Sequence, residues 1–308
     1  MNNSSALKKQ KRRSLMKRQE QKTAYLCLIP AFLGLTFITY IPLILVFVLS
    51  LCNYNGFIDP KFIGFENYIN LFTKDSSFID SIWATVKYTL FSVGGSMIYS
   101  LFIAMLLNRK VPARAFWRAI FYLPYIVPAM VTSIVWNWLF NVDMGVLNYL
   151  LKILHLPTSK FIMSKDSVVQ SMALMGIWAC GNLVVIYLAG LQNVPRVYHE
   201  AAELDGANGW QRFWHITVPC MTPIIFYNLM MSLVANMQVF VPSMALTQGG
   251  PANASLFMVY YMYKKAFTQN QMGYACAVSF VFFLLIAIFT VVIFSTSNSW
   301  IYYEGEDN

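Results

Sequence analysis

Six stretches of this 308-residue chain are long and apolar enough to cross a bilayer, and they leave little chain for anything else. They run at about Ala24–Leu51, Ile79–Leu107, Ala119–Phe140, Ser167–Leu191, Cys220–Leu246 and Met272–Ser295. A membrane helix needs roughly 20 mostly apolar residues, since a helix rises about 1.5 Å per residue and the hydrocarbon core is about 30 Å thick. Five of the six contain no Lys, Arg, Asp or Glu; the second holds Asp80 and Lys87. Only 11% of all residues are charged, against about a quarter in soluble domains. The expected fold is all-α and polytopic, with six transmembrane helices. A membrane domain at 24–296 is flanked by a basic N-terminal tail at 1–23 and a C-terminal tail at 297–308.

The net charge of +9 does not point to nucleic acid. Eight of the 22 Lys and Arg precede residue 23 and abut the first span, which is an orientation signal. With the N-terminus inside, inner segments hold twice as many Lys and Arg as outer loops. Both termini are therefore expected in the cytoplasm, with loops 108–118 and 192–219 on the same side. The acidic end YYEGEDN departs from the trend, but acids weigh little in topology.

Chemistry is scarce. The cysteines, Cys27, Cys52, Cys180, Cys220 and Cys276, are scattered without metal-ligand spacing. His155, His199 and His215 lie in loops. There is no GxxxxGK[ST] and no HExxH, so neither a P-loop nor that zinc motif is present. The first apolar stretch is too long for a cleavable signal peptide. Lys87 sits roughly 12 Å inside the second span. Snorkelling or pairing with Asp80 is the plain account, a substrate or gating role the sharper one. Pro30, Pro42, Pro124 and Pro128 interrupt or kink their spans. Neither a catalytic group nor an ion-coupling device is visible, so uphill transport would need energy from another protein. The chain is not expected to be an enzyme or to hold a cofactor or metal.

One polar piece stands between two spans: EAAELDGANGWQRFWHITVP, Glu200 to Pro219. In the loop 195–219, Pro195 starts a short helix with Val197, Ala201 and Leu204 on one face. Asp205-Gly206 stops it. Asn208 or Gly209 starts a second, with Trp210, Phe213 and Trp214 on one face, and Pro219 closes the unit. Such a knob, lined with Ala and offering Glu200 and Glu203, either docks into a groove of another protein or lies in the membrane interface.

Glu200-Ala201-Ala202, Gly206 and Ile216-x-x-Pro219 resemble the EAA motif of ABC-importer permeases. FIGFENYINLF (62–72), RAIFYLPYIVP (118–128), LTQGGPANAS (246–255) and MGYACAVS (272–279) are similar to the maltose-transporter-like branch that imports carbohydrates. The resemblance spans about residues 24–296. It implies a permease subunit of an ATP-driven, binding-protein-dependent sugar importer in the bacterial inner membrane. Its implied partners are a second, homologous permease, a cytoplasmic ATPase dimer that binds the ATP, and an extracellular substrate-binding protein. It puts the ionic contact to the ATPase on Glu200, the close approach on Ala201 and Ala202, the turn on Gly206, and bulky contacts on Trp210 and Phe213.

Polar groups inside spans are candidates for the substrate pathway. They are Trp178 and Asn182, one turn apart in the fourth span, and Ser232, Asn236 and Gln238 in the fifth. Amides and a hydroxyl beside an aromatic ring suit a sugar; helix–helix hydrogen bonding is the alternative. Gly249, Gly250 and Pro251 predict a tight outer loop, and Ser255–Phe267 an amphipathic helix at the outer surface. Two other readings stay open: an importer of the same class for glycerol phosphate or a polyamine, and a stand-alone secondary transporter.

Overall fold

The computed structural model describes residues 21–109, 112–297 and 299–302. The basic tail expected at 1–23 lies outside these, apart from its last three residues, as does the acidic end from residue 303.

The first span is helix α1 (Gln21–Ser50). A small antiparallel pair follows, β1 (Cys52–Asn53) with β2 (Lys61–Phe62), then α2 (Glu66–Thr73) and the long α3 (Ser76–Asn108). Next come α4 (Arg114–Ile126) and α5 (Ala129–Leu139), which meet at 97°, and the short helix α6 (Val146–Ile153). Helices α7 (Val168–Trp178) and α8 (Gly181–Asn193) meet at 50°. The knob helix α9 (Arg196–Leu204) leads into α10 (Gly209–Met237), a short α11 (Met258–Tyr263) and the last span α12 (Met272–Ser297). Among the described residues four helices are long and apolar enough to cross a membrane, and six spans result when each bent pair counts as one.

The breaks have local causes. Val127 is extended (ψ 130°) and Pro128 follows. A residue before proline is driven out of the helical region, and proline itself lacks the donor a helix needs. The third span therefore turns sharply instead of running straight from Ala119 to Phe140. The fourth breaks at Ala179–Cys180, so Trp178 and Asn182 lie on opposite sides of a bend and not on one continuous turn. Gly181 is where α4 crosses α8: a Cβ there would lie 2.5 Å from the Phe121 carbonyl oxygen.

Prolines inside continuous spans are handled differently. A five-residue π turn, Thr36–Tyr40, ends two residues before Pro42, and another, Phe213–Thr217, ends two residues before Pro219. Widening the helix by one residue relieves the clash a proline ring makes with the preceding turn. Pro219 thus does not close the knob, because helix passes through it from Gly209 to Met237.

The fifth span ends at Met237, not Leu246, and Gln238 is its C-cap, outside the regular helix. The chain then folds back through Gln248 in the left-handed region, Gly249 (φ 88°) and a cis Gly250–Pro251 bond. The predicted surface helix at Ser255–Phe267 forms from Met258, as α11 continued by a π turn at Lys264–Thr268, but its start packs inward. Ser255, Phe257 and Met258 are buried, and Met258 N–H donates to Thr85 Oγ1 of α3 at 2.9 Å. Phe257 lies 4.8 Å from the Tyr88 ring. Internal groups take up the segment's backbone donors, so it can lie within the protein.

Helix α3 organises the packing. Its buried face carries Ser81, Thr85, Thr89, Ser92, Ser96 and Ser100, small residues near every fourth position. Such a seam lets α7, α8 and α10 approach closely. At its C-terminal end Ile103, Ala104 and Leu107 join Val184, Tyr187 and Leu188 of α8 in one cluster.

The knob, the polar seam and the family

The knob is built by local rules. Pro195 caps α9, which ends in a paired turn: Gly206 N–H donates to the Glu203 carbonyl and Ala207 N–H to that of Ala202. This bond pair needs a left-handed residue next, and Gly206 supplies it at φ 80°. Asn208 then caps α10 reciprocally with Gln211, each side chain accepting the other's backbone N–H at 2.8–2.9 Å. Trp210, Phe213 and Trp214 pack on one another with ring centres 5.1–6.0 Å apart.

No residue of α9 is buried. Its apolar face is open, with Val197 68% and Leu204 91% exposed and Ala201 beside them. An apolar helix face left in solvent marks a contact surface. Glu203 is engaged within the knob, paired to Arg212 at 2.9 Å. Among the described residues Glu200 has no ion-pair partner. Ala202 is half-buried towards the knob's own turn.

The pathway candidates sit on α7, α8 and α10, with Gln238 at the C-cap of α10. Trp178 is partly exposed and packs edge-on against Trp136 at 5.9 Å. Asn182 is half-buried at the start of α8. On α10, Ser232 is buried and Asn236, one turn on, donates its amide N–H to the Ser232 carbonyl at 2.8 Å. Gln238 is exposed beyond the helix end. The sequence reading omitted Asn228, which continues the same stripe at i, i+4, i+8 with Ser232 and Asn236. It is fully buried, with Tyr187 of α8 close by, but the geometry is too poor for a hydrogen bond.

The end of α3 away from the knob carries a charged clasp that the sequence did not reveal. Asp75 caps α3 through Phe78 N–H and accepts from Tyr261 and, at 2.7 Å, from Tyr274. Lys265 pairs with it at 3.3 Å and lies over both rings. Burial pushes the Asp75 carboxyl up, but the two tyrosines and Lys265 outweigh it and hold it below its ordinary value. Lys87 is not paired with Asp80. Both line a cavity of about 450 Å³, where Asp80 instead accepts from Asn253 at 3.4 Å.

These elements define a multi-span helical membrane protein with a protruding, rigid loop knob and no nucleotide motif of its own. The chain belongs to the family of binding-protein-dependent transport system inner membrane components, whose model matches residues 96–303. It is 35% identical over 294 residues to the probable ABC transporter permease YesP of Bacillus subtilis, covering 94% of this chain and 95% of that one. It is 31% identical over 266 residues to the multiple sugar-binding transport system permease MsmF of Streptococcus mutans, covering 86% and 91%. A chain from a bacterial ABC transporter that imports the acidic polysaccharide alginate shares the fold, with TM-score 0.77, 22% identity and coverage of 93% and 99%.

Proposed function

We propose that this chain is the permease subunit of an ATP-driven importer for sugars or oligosaccharides, and that α9 carries the ATPase stroke into the membrane. The observation that carries the coupling role is the knob: a helix with no buried residue, a free Glu200 and a rigid two-cap base. Glu200 makes the ionic contact, Ala201 and Ala202 allow close approach, Gly206 sets the turn, and Trp210 with Phe213 brace the base. The partners are a second permease, an ATPase dimer that binds the ATP, and an external binding protein. Both termini face the cytoplasm, as the basic loops require. The sugar substrate is supported by the relatives' transported solutes and by the neutral polar stripe Asn228–Ser232–Asn236. Trp178, Asn182 and Gln238 are assigned to the same pathway.

The test of coupling is Glu200→Lys combined with Gly206→Pro in the complete importer. Co-purification of the ATPase and sugar uptake should both be lost. Normal uptake would refute the assignment. For the substrate, a ligand screen on the cognate binding protein should return sugars; tight binding of a phosphate ester without sugar binding would move the chain to another solute.

A further inference from the structure

A cavity of about 550 Å³ lies where the end of α3 meets the root of the knob. Its floor is apolar, with Met105 of α3 and Leu191 and Val194 from the end of α8. Its rim is cationic and aromatic, with Arg109, His199, Trp210 and Arg212. Among the described residues no acidic one lines it. Arg212 gives one edge to Glu203 at 2.9 Å, and a guanidinium has further N–H donors to offer. Among the described residues the exposed Arg109 guanidinium has no ion-pair partner. Arg114 brings a third guanidinium to this end of α3, where its Nη2 donates to the Arg109 backbone carbonyl at 2.7 Å.

We propose that this cavity is a site for the headgroup of an anionic phospholipid of the cytoplasmic leaflet. The charge calls for a phosphate-bearing ligand, and guanidinium is the group best matched to it. The surroundings call for a lipid and not a free anion. The floor is apolar, and Phe102 and Leu106 on α3 are exposed just above the cationic end. An acyl chain can run along them while the phosphate meets Arg109. Trp210 and Trp214, both exposed, stand where interfacial indoles stand. Basic pockets between helices at the cytoplasmic end of spans bind anionic headgroups in this manner. The lipid bridges α3 to the base of α10, so its occupancy tunes how firmly the knob is held. The location rests on the orientation proposed above; lipid retention is read independently of ATPase coupling.

The test uses the assembled importer in nanodiscs of phosphatidylcholine alone or of a phosphatidylglycerol–phosphatidylcholine mixture. Native mass spectrometry should show phosphatidylglycerol retained on the wild-type permease. Arg109→Gln should retain about fivefold less, as expected for the loss of one cation at a membrane surface, and Arg109→Lys should retain most of it. Phosphatidylglycerol should raise ATPase stimulation in the wild type but not in Arg109→Gln, whose activity in phosphatidylcholine stays at the wild-type level. Equal retention by Arg109→Gln would overturn the proposal. So would restoration of the effect by inorganic phosphate added to phosphatidylcholine nanodiscs, which would make the site one for a soluble anion. An unstimulated wild-type ATPase with phosphatidylglycerol still bound would count against the coupling reading and leave the lipid site standing.

Discussion

Two carboxylates three residues apart on α9 have different employment. Glu203 is held by Arg212 at the surface of the knob, and an exposed pair of this kind contributes under about 1 kcal/mol. Glu203→Ala should therefore leave ATPase co-purification nearly unchanged, whereas Glu200→Lys alone should reduce it strongly; pull-down of the ATPase on the tagged permease reads both. Asp75 is the opposite case, a half-buried carboxylate serving four donors. Asp75→Asn should cost about 1–3 kcal/mol, because Lys265 loses its counter-charge and the tyrosine hydroxyls an ionised acceptor. The pH dependence has a definite sign. The folded carboxyl sits below its ordinary value, so its stabilisation is complete above about pH 4 and fades as pH falls through the lowered value. Thermal denaturation in detergent should separate wild type from Asp75→Asn at neutral pH, and the two should converge only in strong acid.

Elements were legible where apolar length alone decides them. The first, second and sixth spans end within a few residues of α1, α3 and α12, since a long uncharged run has few alternatives to helix. Hydropathy is blind to direction, however. Val127–Pro128 and Ala179–Cys180 are as apolar as their neighbours, and the bends of 97° and 50° there register only as proline chemistry or not at all. The stretch from Gln238 to Leu246 reads as a continuation of the fifth span, although the helix stops at Met237 and a separate helical piece, ending in the π turn Ser243–Thr247, follows. The knob was readable in detail because its determinants are local: Pro195, Asp205-Gly206 and Asn208 with Gln211. Asn228 was readable too, as the next member down of the Ser232–Asn236 stripe. The Asp75 clasp was not, since its partners lie 186 and 199 residues away in sequence. Gly181→Val offers an element-scale check. Its side chain would be driven into the Phe121 carbonyl and Tyr122 backbone, so α4 and α8 should separate and the yield of folded permease on size-exclusion chromatography should fall.

At the scale of the whole molecule, the base of the knob and the polar stripe are two regions of one helix. Asn236→Leu removes a local hydrogen bond to the Ser232 carbonyl and leaves the knob untouched. Uptake should fall while the ATPase still co-purifies; loss of assembly would return Asn236 to helix packing. Because α10 runs unbroken for 29 residues, it is a rod of about 43 Å. A tilt of about 10° at its base would sweep its far end through roughly 7 Å at that length. The rod also fixes an angular phase. Each residue turns the helix by about 100°, so the bearing of Asn236 relative to the knob is set by the number of residues between them. One residue added midway would swing the stripe away from α8 while both ends keep their sequences. Length changes should therefore be poorly tolerated between Val218 and Met237, where the angle between the stripe and the base of the knob is set.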